Sequence, residues 1–400
     1  MAAACLLFVL ILCCGEPVLG RNGTMDDWTR LTNTLFSNYS KDVYPVYNLS
    51  EALSIDTTMF ILSIMEFDEV SGVITLNGGL IHTWTDFRLT WDPSDYGGIE
   101  DILISSSLVW KPDVFLVSTA EDMRPFDSGN FDVRVYYNGV CQVGLGRRMV
   151  ATCSVNMLKF PFDAHECVLL FMQWSVFPEE RVLGFTRTDL MLDYYTANGE
   201  WTLAKSSVAM SATVPGGLCF TIHITRKPIY FTLSLIIPIL LLCFLNPFVF
   251  LLPASSGERI SYTITMFLSM AVYMSIIGDN LPKVSENMAG MSFFLLISLI
   301  YSGTLIILTI FTLRYEALAE VKDFPRIIRR ITVCLKKRRK NTVINVRPSD
   351  PEEDSGKVDV SDDVDISKDD VMRSIDLSLF GTSLIVIVIF IGWFFFNLLS

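Results

Sequence analysis

The stretch that decides the fold runs from Cys153 to Cys167 and reads CSVNMLKFPFDAHEC. Thirteen residues separate the two cysteines, and the motif Phe160-Pro161-Phe162-Asp163 lies between them. A disulfide closing a loop of this size would remove about 3 kcal/mol of conformational freedom from the unfolded chain. Such a bond persists only in an oxidising compartment, so the pair indicates an exported domain. Taken alone, it is typical of a plain structural cross-link.

Four long apolar segments begin about sixty residues after the loop. Hydrophobic residues make up 51% of the 400 residues, and the mean hydropathy is positive, which argues against an ordinary soluble domain. Each segment is long enough to cross a bilayer. They cover residues 229–252, 260–277, 291–313 and 377–399, and Pro238 and Pro247 interrupt the first.

The amino-terminal part carries export signals. An apolar run from Cys5 to Cys14, followed by Val18-Leu19-Gly20, predicts a signal peptide over residues 1–20. The alternative, a membrane anchor, is disfavoured because the run is too short to span a bilayer. Three acceptor triplets predict N-glycosylation in the exported part, at Asn22, Asn38 and Asn48.

The charge distribution sets the membrane topology. Residues 326–340 contain eight basic and no acidic side chains, whereas residues 350–370 contain ten acidic side chains and two lysines. The basic block follows a membrane segment, so the positive-inside rule places it in the cytoplasm. No aromatic platform accompanies it, which excludes a nucleic-acid partner; anionic membrane lipid is the expected neighbour. The sequence therefore predicts an extracellular domain over residues 21–226, three membrane helices over 227–313, a cytoplasmic loop over 314–376, and a fourth helix with an extracellular carboxyl terminus over 377–400.

The segments around the membrane part have distinct patterns. Phe220 to Thr225 alternates apolar and polar residues, and Gly-containing turn signals recur through residues 21–226, which predicts a sandwich of short strands. Asp26 and Asp27 in a first turn predict a helix from Met25 to Phe36. Residues 341–360 are predicted to be disordered, and residues 362–374 to form a helix leading into the fourth segment.

The second apolar segment is too polar to face lipid all round. One face repeats at steps of four or three residues and carries Ser261, Thr265, Leu268, Val272, Ile276 and Asp279. Glu258 lies just before this face. Several copies of such a helix would enclose a water-filled path, with acidic rings that concentrate cations and an apolar constriction at Leu268 and Val272 that closes by dewetting. On the stripe alone, packing against the other segments stays an alternative.

The cysteine spacing, the enclosed FPFD, the four segments and the sequence LPASSGER at residues 252–259 together resemble the Cys-loop receptors, which are pentameric neurotransmitter-gated ion channels. The resemblance is closest to the nicotinic acetylcholine receptor branch and runs from about Asp26 to the end, apart from the loop before the last segment. It implies an extracellular all-β sandwich, a four-helix transmembrane bundle and a Cys153–Cys167 disulfide. Anion-selective relatives usually carry Pro-Ala-Arg before the pore helix, so Glu258 and Asp279 point to cation selectivity.

The resemblance also implies an agonist site of aromatic rings between subunits, which attract a cationic amine. Trp174, seven residues beyond Cys167, matches the main cation-binding tryptophan. Other expected positions depart from the pattern: Val117 replaces a tyrosine, Gly79 replaces a tryptophan, and the closing hairpin is short and turns at Pro215 without an adjacent cysteine pair. These departures predict an agonist other than acetylcholine, or an orphan channel.

Two further sets of residues stay as expectations. By resemblance, Glu69, Phe162, Arg226 and Pro282 would couple agonist binding to the pore, with a Glu69–Arg226 ion pair; solvated charges near lipid are the alternative. The pairing of Cys141 and Cys219 is left open.

The sequence therefore predicts a cation-selective subunit of a pentameric ligand-gated channel in the plasma membrane, with a postsynaptic site among the options. Its expected partners are identical or homologous subunits, a small-molecule agonist, monovalent cations and membrane lipid. The alternative is a non-conducting accessory subunit of a heteromeric receptor. A four-span transporter is disfavoured because repeats and intramembrane charges are lacking. We expect no enzymatic activity and no cofactor. We also expect no metal site, because His82, His165 and His223 show no metal-ligand spacing.

Overall fold

The computed structural model describes residues 22–126, 131–254, 257–279, 290–317 and 367–399; for residues 279 and 399 it describes the backbone only. The chain divides into two compact units. The first contains residues up to 155 together with 165–225, and the second contains 156–164 together with 226 onward. The predicted signal peptide, Pro282, the segment predicted to be disordered and most of the predicted cytoplasmic loop lie outside the described residues.

In its described residues, the first unit has ten strands in two sheets. The six-stranded sheet has the order β3-β5-β6-β2-β1-β8, and the four-stranded sheet has the order β4-β7-β10-β9. The strands are β1 (Leu53–Asp68), β2 (Val73–Thr90), β3 (Asp101–Ser105), β4 (Val114–Leu116), β5 (Asp132–Tyr136), β6 (Asn138–Thr152), β7 (Ala164–Gln173), β8 (Arg181–Gly184), β9 (Trp201–Met210) and β10 (Leu218–Arg226).

Alternating side chains hold the two sheets together. Every second residue of β10 is buried, and Leu145 of the six-stranded sheet shares one apolar core with Leu169 and Ile222 of the four-stranded sheet. This is the pattern of a β-sandwich, in which inward-facing apolar residues interdigitate and outward-facing residues are polar. The Cys153–Cys167 disulfide joins the end of β6 to β7, so it ties one sheet to the other. Both the predicted sandwich and the predicted disulfide are confirmed.

A short helix precedes the first strand. Helix α1 (Met25–Phe36) has the predicted bounds, because Thr24 and Asp27 form a capping box at its start. The Thr24 hydroxyl accepts from the Asp27 amide, and the Asp27 carboxylate accepts from the Thr24 amide, which satisfies two otherwise unpaired donors. Leu31 on its inner face is fully buried in the sandwich core.

Among the described residues of the second unit, four helices are long and apolar enough to cross a membrane. They are α2 (Ile229–Leu251), α3 (Glu258–Asp279), α4 (Gly290–Glu316) and α5 (Lys368–Leu399). Helix α2 is irregular beside both of its prolines: a π turn spans Thr232–Ile236, and Asn246–Leu251 forms a 3₁₀ segment. Proline lacks the amide that the regular helix needs, so the hydrogen-bond pattern changes there. Helix α5 begins before residue 377, so residues 368–374 join the fourth segment in one helix, as the sequence predicts.

Candidate functional site

The predicted pore stripe lies on the exposed side of helix α3. Ser261 and Thr265 are exposed, and the side chains of Leu268, Val272 and Ile276 are 61%, 50% and 47% exposed. The opposite side of the helix is covered, since Thr263, Met270 and Ile277 are 2% exposed or less. Ile260 and Ile264, which flank the stripe, are also exposed. The exposed surface of one subunit is therefore wider than the stripe itself.

Thr265, in the stripe, and Ser269, the residue after Leu268, have hydroxyl groups with a defined orientation. Thr265 Oγ1 donates to the carbonyl of Ser261 at 2.8 Å, and Ser269 Oγ donates to the carbonyl of Thr265 at 2.8 Å. Each hydroxyl proton is thus directed at the helix backbone. The oxygen lone pairs are then left as the polar feature that an approaching ion meets. Glu258, in the first turn of the same helix, is exposed.

Trp174 lies on the surface of the sandwich and not in its core. It follows the last residue of β7, its side chain is 53% exposed, and its ring lies 6.3 Å from the ring of Phe115. Trp84 and Trp110, by contrast, are almost fully buried and contact each other edge to face at 5.8 Å. Of these three tryptophans, Trp174 is the one whose ring a ligand can reach.

Phe115 is a candidate ligand-binding residue that the sequence reasoning missed. It pairs with Met172 in the β4–β7 ladder and is partly exposed beside Trp174. Val117, two residues on, donates its amide to the carbonyl of Leu170 at 2.8 Å and is half-buried. Because strand residues two apart share a face, Phe115 and Val117 lie on the same side of the sheet. The spacing could have found this ring, since Phe115 lies two residues before Val117 and residues two apart in a strand share a face.

The hairpin between β9 and β10 reaches this same face. A Cβ atom at Gly217 would lie 3.3 Å from the Leu170 side chain, and one at Gly216 would lie 3.5 Å from Pro178, in the loop after Trp174. Gly216 has a φ of +69°, which suits a glycine in the turn. Pro215 at the tip is exposed. The tip of the hairpin, residues 214–217, thus carries no aromatic side chain and lies close to Leu170 and Pro178.

Gly79 lies in the middle of β2, on the other sheet. It pairs with Phe60 of β1 and Gly146 of β6. A Cβ atom there would collide with the carbonyl oxygen of Leu145 and would lie 2.7 Å from the Phe60 ring. The close approach of the strands thus excludes the tryptophan that the resemblance would put at this position.

A buried ion pair lies in the second unit, at the start of the membrane part. Arg226 donates through Nε and Nη2 to the two carboxylate oxygens of Asp163, at 2.8 and 3.0 Å, and both side chains are almost fully buried. The guanidinium also lies 5.1 Å from the ring centroids of Phe160 and Phe231. The FPFD motif is thereby fixed to the residue that precedes α2. Phe162, the neighbouring residue, is 36% exposed.

Two other expected coupling residues are placed differently. Glu69 lies in the turn between β1 and β2, in the first unit, so its pairing with Arg226 stays a prediction. Pro282 lies outside the described residues. The sequence reasoning missed Asp163 as a partner of Arg226, although the motif that contains it was recognised.

A second ion pair lies one residue outside the predicted apolar segments 260–277 and 377–399, which themselves carry no charged side chain. Arg259 in α3 is 1% exposed and donates to both oxygens of Asp376 in α5, at 2.9 and 2.5 Å. Its Nε donates to the carbonyl of Leu252 at 2.6 Å, and Nη1 lies 3.4 Å from the hydroxyl of Thr312 in α4. This one arginine thus connects α3, α4 and α5 with the carboxyl-terminal end of α2. Asp376 was missed because it falls one residue before the apolar run.

The remaining candidates have simple outcomes. Cys141 and Cys219 are not joined to each other: both are free thiols, one buried in β6 and the other half-buried in β10. Asn22, Asn38 and Asn48 are all exposed, and their glycosylation stays a prediction. Within the described ranges there is no cluster of three or more metal-ligating side chains.

The comparison with known families agrees with this architecture. Residues 28–233 match the family described as the neurotransmitter-gated ion-channel ligand binding domain. Residues 235–375 match the neurotransmitter-gated ion-channel transmembrane region.

Curated relatives of this chain include subunits of neuronal acetylcholine receptors. Rat subunit alpha-6 is 29% identical over 291 residues, which is 71% of this chain and 59% of the relative. Mouse subunit alpha-3 is 27% identical over 336 residues, which is 82% of this chain and 66% of the relative. The chain thus spans less than two thirds of their length. Because the ligand-binding-domain match alone covers more than half of its residues, this chain belongs to the neurotransmitter-gated ion-channel family, whose members are multi-pass plasma-membrane channels with extracellular amino termini and not enzymes.

Proposed function

We propose that this chain is a subunit of a cation-selective, pentameric ligand-gated channel whose agonist is not acetylcholine. The observation that carries the proposal is the stripe from Ser261 to Ile276, which is exposed along one side of α3, whereas Thr263, Met270 and Ile277 on the opposite side are covered by the same subunit. An isolated helix cannot enclose water, so the stripe has a function only when symmetry-related copies face one another.

Cation selectivity follows from the chemistry of that stripe. The hydroxyl proton of Thr265 is directed at a backbone carbonyl, so its oxygen would present lone pairs to a passing ion. Glu258 at one end, and Asp279 at the other, would add acidic rings that concentrate cations. Leu268 and Val272 between them would form the apolar constriction that closes the path by dewetting.

The agonist would bind beside Trp174, where Phe115 supplies a second ring. A cationic ligand gains about 0.5 to 2 kcal/mol from each accessible ring. Val117, Gly79 and Pro215 contribute no ring, and the strand spacing at Gly79 leaves no room for one. The relatives compared above are named as acetylcholine receptor subunits. Because fewer aromatic rings line the site of this chain, we favour a ligand that depends less on cation–π attraction.

Coupling to the pore would run through the base of the extracellular domain. The Asp163–Arg226 pair, held between two phenylalanine rings, is a rigid point beside α2. Glu69, Phe162 and Pro282 would contact the same region, as the resemblance implies. Removing one partner would leave a buried charge unpaired at a cost of several kcal/mol, so coupling is expected to need both Asp163 and Arg226.

A second candidate function is a non-conducting accessory subunit that assembles only with other subunits. The thin aromatic site favours it, whereas the complete pore stripe favours a conducting subunit. Both candidates share the fold and the membrane location, so they differ only in what one chain expressed alone can do.

The experiment is expression of this chain alone in oocytes, with amines, peptides, protons and lipophilic amphiphiles as trial agonists. A spontaneous or evoked current whose reversal potential follows Na⁺ and K⁺ is expected. A reversal potential that follows chloride alone would rule out cation selectivity. Surface protein that forms pentamers only when a related subunit is co-expressed, with no current of its own, would favour the accessory function.

A further inference from the structure

A polar layer lies inside the helix bundle, apart from the pore stripe. Asn246 in α2 is fully buried, and within the described chain neither its amide nitrogen nor its amide oxygen has a hydrogen-bond partner. Ser302 in α4 is also fully buried, and its hydroxyl has no acceptor or donor there either. Three unsatisfied polar atoms in one membrane bundle need an explanation, since each would cost about 1 to 3 kcal/mol.

The contacts above and below show that these two residues share a layer. One turn earlier, the thiol of Cys243 lies 3.6 Å from the hydroxyl of Ser298. One turn later, Val249 and Leu305 belong to one buried cluster. Asn246 is midway between Cys243 and Val249, and Ser302 is between Ser298 and Leu305. The helices therefore bring the amide and the hydroxyl to the same depth, yet no direct hydrogen bond joins them.

Neither lipid nor a second subunit can satisfy these atoms. Asn246 and Ser302 have no exposed surface even in the isolated chain, so a molecule that approaches from outside the bundle cannot reach them. The partner must be small enough to be enclosed within one subunit.

The backbone adds a further acceptor at the same place. Pro247 has no amide hydrogen, so the carbonyl of Cys243, four residues earlier, loses its regular helical donor. The helix continues from Asn246 as a 3₁₀ segment. Ordered water is one of the ways in which membrane helices satisfy the groups that a proline frees.

We propose that this layer is an internal hydration site, in which enclosed water bridges the Asn246 side chain, the Ser302 hydroxyl and the Cys243 carbonyl. A buried water typically makes two to four hydrogen bonds to groups that would otherwise be unsatisfied, and these three residues supply that number. The water donates a hydrogen bond to the Cys243 carbonyl in place of the amide that Pro247 lacks, so this carbonyl keeps a donor where the helix becomes irregular. The site does not depend on ion conduction or on the agonist.

Radiolytic hydroxyl-radical labelling of the full chain in lipid nanodiscs tests the site. Radicals form from bound water in place, so side chains next to an enclosed water are oxidised although bulk solvent does not reach them. Phe250, adjacent to the layer, and Phe294, two turns above Ser302, are each 2% exposed. We expect several-fold more oxidation at Phe250 than at Phe294. Equal, low oxidation of the two rings would overturn the proposal.

Two variants sharpen the test. Asn246→Leu replaces the amide by an apolar group of similar size, and Phe250 oxidation should fall to the level of Phe294. Ser298→Ala is the matched control, because that hydroxyl already donates to the carbonyl of Phe294 at 2.7 Å; it should leave Phe250 oxidation unchanged. Unchanged oxidation in Asn246→Leu would place the radical source elsewhere and contradict the site. If Asn246→Leu fails to assemble, the comparison of the two rings in the unaltered protein decides the question.

Discussion

Burial separates the residues that hold the sandwich from those that a ligand can reach. Trp201 is 1% exposed and packs edge to face against Phe67, with ring centroids 5.1 Å apart. Trp174 is 53% exposed and lies outside the core. The sequence predicted Trp174 as a binding residue by its distance from Cys167, but it could not show which way the ring points. That depends on the strand that ends at Gln173.

The two tryptophans should respond differently to truncation. Trp201→Ala opens a cavity in the core and should lower the free energy of unfolding by about 3 to 5 kcal/mol. Trp174→Ala removes an exposed ring and should change it by less than about 1 kcal/mol. Thermal or denaturant unfolding of the purified protein measures both. A loss at Trp174 as large as that at Trp201 would show that the ring is structural.

His82 gives the extracellular domain a pH-dependent stability. It is fully buried and bonds only through Nδ1, at 3.0 Å from the hydroxyl of Thr57, among its described contacts. Burial lowers its pKa from 6.5 to about 3, because the charged form would lose its hydration. Between these values the unfolded chain takes up a proton and the folded chain does not. Stability is therefore full above pH 6.5 and falls as the pH drops toward 3.

We expect this residue to remove roughly 1 kcal/mol of stability for each pH unit below 6.5. His82→Gln keeps a polar side chain at the same position but cannot titrate. Denaturant unfolding of both proteins between pH 7 and pH 4 measures the difference, with other titrating groups common to the two. Parallel pH profiles would show that His82 is not responsible.

At the scale of elements, a pattern within one helix could be predicted from the sequence, whereas contacts between distant helices could not. The pore stripe repeats every three or four residues, so its members share a face whatever surrounds the helix. Arg259 and Asp376 are 117 residues apart, and no local pattern links them. Phe115 was missed because its role depends on the register of β4 against β7, which places its ring beside Trp174.

The constriction in helix α3 should be sensitive to polarity at one position. Leu268→Thr adds a hydroxyl to the stripe, wets the apolar constriction and should produce a current without agonist. Ile264→Thr is the matched control, since Ile264 is 51% exposed on the same helix but lies off the stripe. Two-electrode voltage clamp measures both. If both variants leak equally, or neither does, Leu268 is not the gate.

The Arg259–Asp376 pair should matter for the bundle as a whole. Asp376→Asn leaves the guanidinium buried without a countercharge and should cost about 3 to 5 kcal/mol. The double variant Arg259→Met, Asp376→Leu removes both charges and should recover most of the loss. Thermal stability of the assembled protein, followed by size-exclusion chromatography, is the measurement.

An exposed ion pair supplies the control for that experiment. Arg124 and Asp122 are 2.9 Å apart, with side chains 67% and 82% exposed. Asp122→Asn should change stability by less than about 1 kcal/mol. A double variant no more stable than Asp376→Asn alone would mean that the pair is not the source of the effect.

At the scale of the whole molecule, the proposed pore needs the exposed side of α3 to face the same helix of neighbouring subunits. Leu268, Val272 and Ile276 would face lipid or bare water in a single subunit, although a threonine lies on the same stripe. Membrane helices place polar groups toward the bundle interior or a water-filled cavity, because hydrocarbon cannot hydrogen-bond them. The family to which the chain belongs resolves this by assembly.

Thiol labelling of the protein in nanodiscs tests that arrangement directly. Leu268→Cys and Val272→Cys should react with a membrane-impermeant reagent, because the stripe would face the aqueous path in a closed ring. Met270→Cys, whose position is 2% exposed, should not react, and Cys219→Ser removes the half-buried native thiol from the background. Single-molecule photobleaching should count five chains in each particle. Monomeric particles, or stripe positions no more reactive than Met270→Cys, would mean that the exposed face of α3 lies in lipid and lines no pore.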